Sequence, residues 1–72
     1  MQWNLIILRK EKRLKQVDVA EVIGISADAY GQKERGQLQF KANEMFVLSD
    51  FFGKKVEEIF LPVDIGITDK VN

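Results

Sequence analysis

Val19, Ala20, Val22 and Ile23 stand at helical spacing, and Gly24, Ile25 and Ser26 follow them directly. This interruption constrains the chain more than any other stretch. Gly24 suits the left-handed conformation just past a helix end. Ser26 suits the cap of a new helix, because its hydroxyl accepts from an unpaired backbone N–H. Asp28 then falls in the first turn, where the helix dipole favours an anion. Two short helices joined by a tight turn are predicted, with small Ala20 letting them cross closely. Periodicity alone permits any helical hairpin here, and a groove-reading pair is one case among several.

The same reading extends outward. Leu5 and Leu8 place a first helix running to about Arg13, and Gly36 ends the third. Met45, Leu48, Ser49 and Phe52 give a fourth helix stopped by Gly53, and Val56, Ile59 and Phe60 a short fifth before Pro62. Phe40, Phe46, Phe51, Phe52 and Phe60 are expected in the core. The expected organisation is all-α, a five-helix domain over residues 1–61 with a tail over 62–72. In that tail Val63, Ile65 and Ile67 alternate with Asp64, Gly66 and Thr68, the period of a strand, which needs something to pair with.

Composition narrows the function. The 72 residues contain no Cys and no His, which removes disulfides, thiol chemistry and zinc fingers. With Ser26 read as a cap and Ser49 as a helix-seam residue, no nucleophile–base pair assembles. Glu57 and Glu58 are adjacent and point different ways, so an enzyme is not expected, and neither is a cofactor or small-molecule ligand. No run of about 18 apolar residues is present, so no membrane partner is expected. Met1 to Leu8 lacks the basic stretch and cleavage site of a signal peptide, and a cytoplasmic protein is expected. The net charge is zero, yet Arg9, Lys10, Lys12, Arg13 and Lys15 face only Glu11 within the first fifteen residues. Such an asymmetry can orient a protein on DNA by its basic end.

The series Leu8-Arg9-Lys10-Glu11-Lys12, Leu14-Lys15-Gln16, Val19-Ala20-Glu21, Gly24-Ile25-Ser26, Tyr30, Glu34, Gly36, Leu48, Phe52-Gly53 and Glu58-Ile59-Phe60 resembles the lambda-repressor/Cro (XRE-type) helix-turn-helix domain over about residues 4–60. Phe40, Glu44 and the Lys33-Glu34-x-Gly36 run are similar to short single-domain phage regulators. No ligand-sensing or self-cleaving module is expected at this length. The resemblance implies a transcriptional regulator, of repressor type, that reads a double-stranded DNA operator with its third helix, about 26–35. Ala27, Asp28 and Gln32 take the positions that face base edges. Gln can pair bidentately with adenine, Asp can only accept, and Ala offers an apolar contact. Gln16 takes a phosphate-touching position, as do Gln37, Gln39 and Lys41 in the following loop, with Lys15 and Lys33 as supporting cations. Arg9 and Glu34 match positions that pair in related domains.

Departures from that pattern are also present. The loop after the third helix is the uncharged Gln37-Leu38-Gln39, and Gly31 inside the helix costs about 1 kcal/mol against Ala. Lys33 replaces an apolar residue, its stem free to lie on the core while its ammonium reaches phosphate. Lys54 and Lys55 replace an apolar residue and a cap. Asp28 opposes phosphate. These features suit the alternative, a protein-binding helix-turn-helix of antitoxin or anti-repressor type. Trp3, Ile6 and Ile7, with Val63, Ile65 and Ile67, supply apolar surface at both chain ends, from which a homodimer is expected.

Overall fold

The computed structural model describes residues 1–60, which form α1 (Trp3–Glu11), α2 (Gln16–Val22), α3 (Ala27–Glu34), α4 (Ala42–Phe52) and α5 (Val56–Phe60). No strand occurs among the described residues. The strand expected at Val63, Ile65 and Ile67 lies outside them. The elements follow the expected order, with two shifts.

The first shift is at the end of α1. The helix stops at Glu11, and the chain reverses through Arg13, whose φ is 57°. The Arg13 N–H donates to the Lys10 carbonyl at 2.9 Å and the Leu14 N–H to the Arg9 carbonyl at 3.0 Å. These bonds satisfy the last carbonyls of α1, the task a glycine usually performs. An arginine in this conformation carries no sequence signal.

The second shift concerns α4. Leu48 and Phe52 are buried and Met45 is half-buried, but Phe46 is 65% exposed and Phe51 is also exposed. The expectation that all five phenylalanines are core is corrected for these two. A helix buries one stripe, here Met45, Leu48 and Phe52, and Phe46 lies about 100° around the axis from Met45.

α2 and α3 cross as the turn chemistry requires. Ala20 is fully buried at the crossing, and Gly24 takes φ 73°. The Ser26 hydroxyl accepts from the Ala29 N–H at 3.1 Å. The starts of α2, α4 and α5 use a carboxylate instead of a capping hydroxyl. The Lys15 N–H donates to Asp18 at 2.7 Å, Lys41 to Glu44 at 2.9 Å and Lys55 to Glu58 at 2.7 Å. Lys55 before α5 is therefore accommodated through its backbone.

The core gathers Leu5, Val19, Ala20, Tyr30, Phe40, Leu48, Phe52, Ile59 and Phe60. Tyr30 meets Phe40 edge-on at 6.0 Å between centroids, and Phe40 meets Phe60 at 5.2 Å. Each large side chain buried here contributes about 1.5–3 kcal/mol of transfer free energy. Asn4 on α1 donates to the Glu58 carbonyl at 2.9 Å, fixing α5 across the first helix.

Candidate nucleic-acid interface

α3 has two unlike faces. Tyr30, Lys33 and Glu34 point inward and are buried. On the other side Asp28 and Arg35 are exposed, and Ala27 and Gln32 are half-buried. Positions 28, 32 and 35 are separated by four and three residues, so they share one stripe of the helix. Of the expected base-facing residues, Asp28 and Gln32 thus share one outward stripe, and half-buried Ala27 lies about 100° around the helix from Asp28.

Glu34 fastens the inner face. Its Oε2 accepts from Arg9 Nε at 2.8 Å and from the Tyr30 hydroxyl at 2.8 Å. Its Oε1 accepts from Gln16 Nε2 at 2.9 Å and from Arg9 Nη2 at 3.2 Å. Two donors on each oxygen fill the roughly four acceptor sites of a carboxylate. Arg9 also donates to the Leu14 carbonyl at 2.9 Å, and the Gln2 N–H to the Glu34 carbonyl at 2.8 Å. The first helix, the α1–α2 turn, α2 and α3 therefore meet at one anion.

The electrostatics follow. Burial works to raise the Glu34 carboxyl, but the bonds from Arg9, Gln16 and Tyr30 outweigh it and hold the group below its ordinary value. Arg9 is pushed up, chiefly by its bond to Glu34. Burial and the neighbouring carboxylate push the Tyr30 phenol far above its usual range.

Lys33 does not reach outward. Its Nζ lies 2.6 Å from Glu44 Oε1, and the residue is 8% exposed. The expected phosphate contact from Lys33 is corrected: its ammonium closes a buried pair that joins α3 to the start of α4. It also lies 5.9 Å from the Phe40 ring centroid. Burial works to raise Glu44 as well, and the bonds from Lys33 and the Lys41 N–H hold it below its ordinary value.

The remaining candidates divide. Lys15, Gln37, Gln39 and Lys41 are exposed, and Gln16 is half-buried with its amide nitrogen on Glu34. Trp3 and Ile7 are 58% and 52% exposed on α1, whereas Ile6 is 9% exposed. Ile6 is thus corrected from a surface candidate to a buried residue, since α1 turns it inward beside Leu5. Arg35 was missed by the sequence reading. It closes α3 as its C-cap residue, and its Nη2 donates to Gln37 Oε1 at 3.3 Å. Its spacing of three from Gln32 and seven from Asp28 was the available signal. Among the described residues no acidic cluster is arranged to hold a metal ion, and no helix is long and apolar enough to cross a membrane.

The turn-joined α2 and α3, the internal brace at Glu34 and the polar outer stripe define a helix-turn-helix domain of the lambda-repressor/Cro class. The chain belongs to the helix-turn-helix family, whose model matches residues 5–59. Its fold is similar to that of a solved transcriptional regulator from Listeria innocua, with a TM-score of 0.80 and 22% identity. The similarity covers 94% of this chain, which spans 64% of that regulator's chain. No curated protein matches the sequence.

Proposed function

We propose that this chain is a sequence-specific, Cro/repressor-like transcriptional regulator of the cytoplasm, which reads the major groove of double-stranded DNA with α3 as a homodimer. The observation that carries the reading is the division of α3. Its inner face is held by Glu34 and Lys33, leaving Asp28 and Gln32 on an unoccupied outer stripe. Gln32 pairs with adenine, Asp28 accepts from cytosine, and Ala27 meets a thymine methyl. Lys15, Lys41, Gln37 and Gln39 are exposed and are proposed to set register on phosphates.

Trp3 and Ile7 are large apolar side chains exposed one helical turn apart, which supports the dimer. Val63, Ile65 and Ile67 are proposed for the same contact. A dimer sets two recognition helices about one DNA turn apart.

Exposed Phe46, Val47 and Phe51 on α4 favour a second reading, a protein-binding helix-turn-helix. A gel shift with the DNA upstream of the chain's own gene, at low and physiological salt, separates the two. Retardation of that DNA over a scrambled duplex is expected. Absence of any shift at low salt sinks the operator reading and leaves the protein-binding one.

A further inference from the structure

The core is open on one side, where the chain between α3 and α4 passes the start of α1. Met1, Gln2, Leu38, Phe40, Met45 and Phe60 line a cavity of about 330 Å³. That is several times the roughly 30 Å³ that one water occupies in the liquid. Five of these six side chains are apolar. Phe40 and Phe60 are buried, but Leu38 is 46% exposed and Met45 only half-buried. Gln2 adds a polar mark. Its Oε1 is buried and has no hydrogen-bond partner among the described residues. A buried acceptor ordinarily has one, because unpaired it forfeits its hydration for nothing.

The chain itself points to an occupant. Phe60, the last described residue, is a wall of the cavity, and the sequence continues from it as Leu61-Pro62. A proline disfavours helical backbone in the residue before it, so Leu61 is directed out of α5 beside the cavity. Leu61 reaches it without closing a loop, whereas the same segment of a second copy would first bear the cost of association. An apolar side chain suits the walls, and a backbone N–H suits Gln2.

We propose that this cavity is the docking site of the chain's own Leu61-Pro62 segment. The Leu61 side chain enters among Leu38, Phe40 and Met45. Gln2 Oε1 accepts a backbone N–H from the residues after Pro62, which has none itself. The docked segment ties the end of α5 to the chain between α3 and α4, and so steadies the stretch that carries Gln37 and Gln39.

The test is nuclear magnetic resonance on the full chain, free of DNA. Nuclear Overhauser contacts are expected from the Leu61 methyl groups to the Phe40 ring and the Met45 methyl. In a mixture of carbon-13-labelled and unlabelled chains, a filter that passes only contacts between molecules should remove them. Leu61→Ser should then speed amide hydrogen exchange over residues 38–41 by about tenfold or more, the effect of unburying one leucine on a local opening. Absence of any contact from Leu61 to these walls in the parent overturns the proposal. Contacts that survive the filter overturn it too, and give the cavity to the segment of a second copy. So does exchange in Leu61→Ser at the parent's rate.

Discussion

Lys33 on α3 and Glu44 on α4 form a buried ion pair, Nζ to Oε1 at 2.6 Å, and the same Glu44 oxygen accepts the Lys41 N–H that opens α4. One carboxylate oxygen thus pins both ends of the loop from Arg35 to Lys41. That loop carries Gln37 and Gln39, so their placement depends on a pair that is itself largely buried.

Lys33→Met should therefore act on stability and leave DNA binding alone. Removing the ammonium strands Glu44, at a cost of about 3–5 kcal/mol if nothing relaxes. Glu44 keeps the Lys41 N–H, which places the expected loss at the lower end. Urea unfolding reads the cost. Where the variant remains folded, its salt slope with duplex DNA should equal the parent's, and a reduced slope would return Lys33 to the phosphates.

The buried carboxylates set an acid limit. Glu34 and Glu44 are held below their ordinary values in the folded chain, so below the ordinary carboxylate range the unfolded chain binds more protons. Their contribution is present above that range and is lost as pH falls through the lowered folded values. Tyr30 acts in the other direction. Its raised phenol contributes stability below about pH 10, the ordinary tyrosine value, and loses it as pH climbs toward the folded value. Melting temperature against pH should show a falling acid limb that flattens in Glu34→Gln and a falling alkaline limb that flattens in Tyr30→Phe.

Gln32 carries the readout prediction. Gln32→Ala should weaken operator binding by about 1–3 kcal/mol and relax preference at one base pair, with non-specific binding unchanged. A binding profile identical to the parent's across operator variants would take α3 out of the groove.

The parts of this fold written in local chemistry were legible in the sequence. Gly24 and Ser26 specify a turn and a cap within three residues, and both do what their side chains dictate. The Arg9–Glu34 contact spans 25 residues, and nothing local announces it; it was expected only through the family resemblance. The phenylalanines of α4 failed for another reason. Hydrophobicity says that Phe46 can be buried, but burial needs a neighbouring layer, and five short helices supply one for Phe52 and none for Phe46. Gly31 is legible in the sequence only as a helix cost; that a Cβ there would stand 3.2 Å from both Arg35 Nη1 and Gln16 Oε1 depends on a side chain from another helix, which nothing local announces.

Arg13 yields the last prediction. Its φ of 57° is the left-handed region, which costs an ordinary residue about 1–2 kcal/mol. Glycine removes the steric cost but loses more freedom on folding, by roughly 0.5–1 kcal/mol. The balance favours Arg13→Gly by a few tenths to about 1 kcal/mol, seen as a higher urea midpoint with an unchanged m-value. The side chain of Arg13 is exposed, so no packing is lost with it. Removing a cation from the basic end of α1 also tests whether that end touches DNA, since a phosphate contact there would lower the salt slope by about 0.9. Arg13→Lys separates the two effects: it keeps the charge and the backbone cost, so it should leave both the midpoint and the slope where they were. A glycine variant less stable than the parent would mean that the turn after α1 is held by something other than its backbone geometry.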